Sequence, residues 1–124
     1  MLSIAEMLKT GTTCFADMYF AMNRVADAVE ETGIRAVLSR GLTGFSDENY
    51  AKLEENAALF KERHNSAGGR IHVMLGPHAP YTCSVEYLKN VIAKAQQLGS
   101  EIHIHLCETK GEVDNCIKEH GMSR

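Results

Sequence analysis

The chain has 124 residues, 44% hydrophobic and 23% charged, the make-up of one globular domain with a single core rather than of a disordered or fibrous chain. Its 13 basic and 16 acidic side chains give a formal charge of −3, and the signs are interspersed, which suits neither nucleic acid nor an anionic membrane. The longest apolar runs fall far short of the roughly 20 residues of a membrane span, and the N-terminus lacks the basic-then-apolar layout of a signal peptide, so a cytoplasmic location is expected.

In chain order, amphipathic segments end at a glycine and a β-rich run follows. "AEMLKTG" predicts a helix closed at Gly11, then a strand in "TTCFADM". Asp17 and Tyr19, at the end of "TTCFADMY", are weak site candidates. "DAVEETG" closes at Gly33 and leads into "IRAVLSRGL". Arg40 ends that strand before Gly41 and could anchor an anionic or hydroxylated part of a substrate, although an arginine in such a place is more often a surface residue.

Ser46 sits where an N-cap belongs, and Tyr50, Leu53, Ala57 and Phe60 recur at helical spacing. "KERHNSAGG" stops at Gly69 and "RIHVMLG" follows. Next comes "GPHAPYTCS", Gly76 to Ser84, which holds both prolines. Pro77 fixes its own φ and restricts Gly76, while Pro80 restricts Ala79, so His78 is held in a stiff loop at a strand end. Such loops bind ligands or are structural turns; the binding reading is preferred. Ser84 is the next expected N-cap, Val85, Leu88, Ile92 and Ala95 the next apolar face, and Gly99 the next stop.

The last strand is expected in "SEIHIHL". Helix, glycine, strand, four times over, means crossover connections and a parallel sheet, either doubly wound or part of an eight-stranded barrel. In "IHIHLC" alternation sends Ile102, Ile104 and Leu106 to one face and His103, His105 and Cys107 to the other. A doubly wound sheet is covered on both faces, whereas a polar row suits a barrel interior. The expectation is an α/β fold, a partial (β/α)8 barrel of about four parallel β/α units, with residues 1–124 forming one domain.

"IHIHLCET" raises the question of a metal. Same-face neighbours on a strand lie about 6.6 Å apart, so His103 and Cys107 are separated by about 13 Å, while zinc needs ligand atoms at about 2.0–2.3 Å. At least two ligands must come from other strands or another chain. His105, nearer the C-terminal end of its strand, is the better ligand; His103 reads as packing. Glu108 follows the strand, and "TKGE" fits a capping box in which Thr109 caps the next helix and Glu112 reaches back. A carboxylate three residues beyond a metal-binding histidine can relay the proton of a metal-activated water; the alternative is a solvated loop acid. His64, His72 and His120 read as filler, Cys14, Cys83 and Cys116 as packing residues, and all four cysteines as reduced.

Together, "TGTTCFADMY", "LSRGL", "GPHAPYTCS" and "IHIHLCET" closely resemble the metal-dependent amidohydrolase superfamily over essentially the whole chain. The nearest branch contains methylthioadenosine and S-adenosylhomocysteine deaminases, with guanine deaminase and the chlorohydrolases close by. The resemblance implies a (β/α) barrel whose metal, usually zinc, activates water for attack on the amidine carbon of a purine-like ring, with loss of ammonia. It implies that His105 is a metal ligand, that Glu108 is the acid–base glutamate, and that His78 and Arg40 line the substrate pocket. Lys52 falls where some members carry a second anchoring arginine.

The family's H-x-H pair of the first strand, a later histidine and an aspartate of the last strand have no counterpart. The chain therefore reads as strands two to five of a barrel of about 250 residues. The expectation is a fragment, inactive alone, of a zinc aminohydrolase acting on a small nucleoside or heterocyclic amine. The alternatives are a chlorohydrolase- or guanine-deaminase-type parent, or a non-catalytic, self-associating α/β module. Exposed strand edges and an open inner face favour a homo-oligomer.

Overall fold

The computed structural model describes residues 1–47 and 50–122, apart from the side chain of Ser46. Helices and strands alternate: α1 (Leu2–Lys9), β1 (Cys14–Tyr19), α2 (Met22–Thr32), β2 (Arg35–Leu42), a 3-10 turn (Gly44–Ser46), α3 (Ala51–Arg63), the single turn α4 (Ser66–Gly69), β3 (Ile71–Val73), β4 (Gly76–Pro77), α5 (Val85–Leu98) and α6 (Lys110–His120). Gly33 and Gly99 end α2 and α5 in the left-handed conformation that lacks a Cβ penalty. Gly11 also has positive φ just beyond α1, but the stop expected at Gly69 falls earlier: α3 ends at Arg63 with His64 as its C-cap, and Gly69 is the last residue of the single turn α4.

The strand pairings are parallel and follow chain order. β1 aligns with β2 from Cys14 opposite Arg35 to Tyr19 opposite Arg40. β2 pairs next with β3, Ala36 opposite Ile71, and with β4, Gly41 opposite Gly76. Ala36, Leu38, Ile71 and Val73 pack with Ile4, Met22, Ala26, Val29 and Leu59 of helices α1 to α3. Leu42, Leu75 and Ile102 pack with Leu53 of α3 and with Tyr87, Val91 and Ala95 of α5. Alternation places Val37, Ser39 and Gly41 on the opposite face, where Ser39 meets His103. A parallel sheet wound in one direction with its helices on one side is the wall of a (β/α) barrel, not a doubly wound sheet.

Three further local expectations are corrected. The buried row of α5 is Tyr87, Val91 and Ala95, while Val85 and Ile92 are exposed; the apolar residues fit two helical rows, and packing selected the one led by tyrosine. The Ser46 side chain lies outside the described residues, and the start of α3 is capped by Asp47, whose carboxylate accepts the N–H groups of Lys52 at 2.9 Å and Leu53 at 3.2 Å. Cys14, expected to pack, is exposed, whereas Cys83 and Cys116 are buried. Ser84 does cap α5, accepting the N–H of Tyr87 at 3.1 Å.

The expected fourth strand is reduced to one parallel bridge, Leu75 to Ile102. Leu75 donates to the carbonyl of Glu101 at 3.0 Å and accepts from His103 at 2.9 Å. In a parallel ladder the next donor would be residue 77. Pro77 has no N–H, so the regular ladder stops there, and His105 instead donates to His78 one residue further on, at 3.0 Å. Gly76, just before, lies so close to its neighbour that a Cβ would sit 2.8 Å from the Cβ of Ser39 and 2.9 Å from the carbonyl oxygen of Arg40.

Helix α3 spans the gap between β3 and β4 with a fully buried amide. Asn56 donates to the carbonyl of Met74 at 3.1 Å and accepts the N–H of Gly76 at 3.0 Å. Replacing it by leucine leaves two backbone groups buried without those partners. Asn56→Leu is therefore expected to lower stability by about 2 kcal/mol or more in urea unfolding; an unchanged midpoint would contradict this reading. The hydroxyl of Tyr87 donates to Asp47 at 2.6 Å, and burial followed by that bond pushes its ionisation well above the ordinary tyrosine value. Tyr87→Phe is expected to cost about 1–2 kcal/mol in the same measurement, because a hydrogen bond to a buried charge is removed while the ring stays.

Candidate active site

Three of the candidate residues, His78, His105 and Glu108, lie together beyond the C-terminal ends of the strands. His105 is fixed through one carbonyl: its backbone N–H lies 3.0 Å and its ring Nδ1 2.8 Å from the oxygen of His78. A carbonyl only accepts, so Nδ1 carries the proton and Nε2 keeps the lone pair a metal would take.

His78 is oriented by similar accounting. Thr82 Oγ1 lies 3.0 Å from the carbonyl of Ala79, which takes its single hydroxyl proton, and it accepts the N–H of Ala79 at 3.1 Å. His78 Nδ1 lies 3.0 Å from the same hydroxyl, which fixes the orientation of the ring. The His78 and His105 rings lie 5.0 Å apart.

One step deeper, His103 Nδ1 lies 3.4 Å from the hydroxyl of the fully buried Ser39. Its ring centroid is 6.1 Å from that of His105. Burial, then the neighbouring His105, lowers its pKa and favours the neutral ring. This agrees with the packing role read from sequence.

Between His105 and Glu108 the chain turns at Cys107, a non-glycine residue at φ 55°. Such a conformation costs about 1–2 kcal/mol, and here it ends the extended segment and starts the turn into α6. Thr109 caps that helix, accepting the N–H of Glu112 at 3.1 Å, as expected. Glu112 reaches back one residue beyond the cap, to the N–H of Glu108 at 2.9 Å. The exposed Glu108 carboxylate accepts the hydroxyl of Tyr81 at 2.8 Å, and Tyr81 stands edge-on to His78, with centroids 5.8 Å apart. The motif containing His78 and the motif containing His105 and Glu108 are thus brought together.

Arg40 stands apart from this group. It alternates with Ala36 and Leu38 on the helix side of β2, pairs with Glu55 of α3 at 2.8 Å, hydrogen-bonds the carbonyl of Gly41 and lies 4.9 Å over the ring of Phe20. Lys52 bonds the hydroxyl of Thr43 at 3.0 Å. Asp17 lies in the same alternating row as the core-packed Phe15, and Tyr19 is exposed at the end of β1. His64 stacks on Phe60 at 4.4 Å, and His72 pairs with Glu101 at 2.9 Å.

Sequence reasoning passed over Tyr81 and Thr82, although both lie inside the quoted "GPHAPYTCS". A polar residue beside two prolines in a stiff loop was the available signal. Ser39 and Asn56 carried none, since each is a single polar residue in an apolar run.

Among the described residues no three His, Cys, Asp or Glu side chains converge as a metal site. The chemistry of His105, an imidazole oriented with Nδ1 on a carbonyl, fits one corner of such a site and not a whole one.

Comparison with known proteins places the chain in a family. The chain is 53% identical to a 5-methylthioadenosine/S-adenosylhomocysteine deaminase of Thermoanaerobacter pseudethanolicus and 51% identical to one of Desulforudis audaxviator, with 99% of this chain aligned to 29% of each relative. The chain thus spans less than a third of these relatives' length. A crystal structure of an adenosine deaminase from Xanthomonas campestris with bound zinc superposes with a TM-score of 0.85 at 28% identity, over 98% of this chain and 28% of that one. An atrazine chlorohydrolase from Arthrobacter aurescens TC1 complexed with zinc shares the fold, with a TM-score of 0.79 at 20% identity, over 97% of this chain and 31% of that one. The amidohydrolase family model matches residues 1–124, and the chain belongs to that family.

Proposed function

We propose that this chain forms part of the catalytic barrel of a zinc-dependent aminohydrolase that removes the ring amino group of a methylthioadenosine- or S-adenosylhomocysteine-like nucleoside. The observation that carries the reading is the pair of His105 donors on the His78 carbonyl, which fixes an imidazole lone pair at a strand end three residues before a carboxylate. The names of the relatives support the substrate class, and the zinc in the Xanthomonas deaminase supports the metal.

A bound divalent metal would supply Lewis acidity, lowering the pKa of the attacking water. His105 Nε2 would be one of its ligands, and the others would come from beyond these residues. Glu108 would accept one proton of the attacking water as its oxygen bonds to the ring carbon and pass it to the ring nitrogen; the second proton of that oxygen goes to the exocyclic amino group, whose carbon–nitrogen bond breaks as the carbon–oxygen double bond forms, and ammonia leaves. His78 Nε2 would hydrogen-bond a polar group of the substrate. Arg40 would contact substrate only in competition with Glu55, which already holds its guanidinium.

The test is a hybrid in which residues 1–124 replace the matching segment of the Thermoanaerobacter deaminase. It should release ammonia from methylthioadenosine. Glu108→Gln should lower kcat by about 10²-fold or more, and His105→Ala should lower zinc content. A Glu108→Gln hybrid at full rate would overturn the assignment. The isolated chain, dialysed against zinc and then against metal-free buffer, should retain well under one zinc per chain and release no ammonia. Retention of one zinc per chain would refute the single-corner reading.

A further inference from the structure

Tyr81 has no part in the chemistry assigned so far, yet its hydroxyl is the group that meets the Glu108 side chain. We propose, resting on the deaminase reading, that Tyr81 is a positioning residue for Glu108, its phenol O–H holding Oε2 so that proton exchange with substrate falls to Oε1. The contact is 2.8 Å, a hydrogen bond of ordinary length to a carboxylate, a kind stronger than one between neutral groups.

The phenol is placed by its surroundings on the strand-end side and by little else. Pro80 stiffens the backbone before it, Thr82 ties the loop to His78, and the His78 ring meets Tyr81 at an interplanar angle of 87°. Its other flank opens onto a cavity of about 710 Å³ that Phe45, Pro80, Thr109 and Cys116 also line. Tyr81 is 53% exposed, so core packing does not dictate where the ring sits. The hydroxyl bond does.

The bond also closes a frame around Glu108. Glu112 takes its backbone N–H, and Tyr81 takes its carboxylate. The charged and titratable groups facing the phenol are Glu108, Glu112 and His78, with Cys116 and Glu119 of α6 lining the same cavity. The carboxylates of Glu108 and Glu112 oppose its ionisation, with the Glu108 hydrogen bond foremost. A carboxylate so held presents one oxygen in one direction, which is what proton transfer to a fixed ring nitrogen requires.

Two measurements test this. In the isolated chain, tyrosine labelled at ¹³Cζ and followed by NMR through alkaline pH should show Tyr81 titrating above the ordinary tyrosine value, and Glu108→Gln should bring it down. An identical titration in the two proteins would show that the pair is absent and overturn the proposal, leaving the deaminase reading untouched.

In the hybrid enzyme, Tyr81→Phe should lower kcat about tenfold, the loss of one charge-assisted hydrogen bond. It should also move the acidic limb of the pH–rate profile to higher pH, because a carboxylate deprived of a donor holds its proton more tightly. KM and the urea midpoint should stay unchanged. A Tyr81→Phe hybrid with the parent's kcat and pH profile would overturn the proposal. A hybrid inactive before any substitution would instead overturn the deaminase reading, and the catalytic part of this one with it.

Discussion

The site depends on the carbonyl of His78, which receives both donors of His105. Pro77 cannot supply the next donor of the ladder begun at Leu75, and beyond it the amide of His105 pairs with the carbonyl of His78, which takes the ring as well. A break in backbone pairing thereby sets the tautomer of an imidazole.

A break in a buried strand leaves polar groups that must be satisfied, and α3 supplies them. Asn56 fills the gap between β3 and β4, and Asp47, at the other side of the helix start, binds two backbone N–H groups and the Tyr87 hydroxyl. Each buried polar group left alone would cost about 1–3 kcal/mol, a large share of a small domain's stability. These two side chains stabilise the irregular backbone that function needs. They also tie α3 to the strand break and to α5, so the loop holding His78 sits on a fixed base.

What the sequence revealed follows from which rules are local. Glycine stops, the caps at Ser84 and Thr109 and the parallel α/β wall depend on a few adjacent residues or on simple periodicity. The rule that sent His103 and His105 to one face also governs Arg40, which alternates with Leu38 and so turns toward the helices; applied to "AVLSR", it would have separated Arg40 from the histidines. The face of α5 was not legible, because Val85 and Ile92 are as apolar as the buried row and only the neighbouring helix distinguishes them. Ser39 and Asn56 were silent for the same reason, since a polar residue in an apolar run reveals its partner only after folding. Tyr81 lay within a recognised motif, but its role depends on Glu108, 27 positions away, being brought within hydrogen-bonding distance.

On the proposed reading His105 is one corner of a metal site, and strand geometry explains why a single strand cannot supply the whole. In a wall of consecutive parallel β/α units, alternation gives each strand end one inward side chain near the top, and neighbouring strands lie about 4.8 Å apart. The inward row on a single strand spaces its members by about 6.6 Å, too far for three of them to share an ion bound at about 2 Å. A tetrahedral site at the top of such a barrel must therefore draw its ligands from strands on several sides of the axis. His105 contributes one direction, and the strands beside it hold Ser39, Gly41 and Gly76 at the inward positions, small groups that leave room and coordinate little. On the proposed reading, the span supports one ligand and the acid–base carboxylate, and strands on other sides of the barrel supply the remaining ligands.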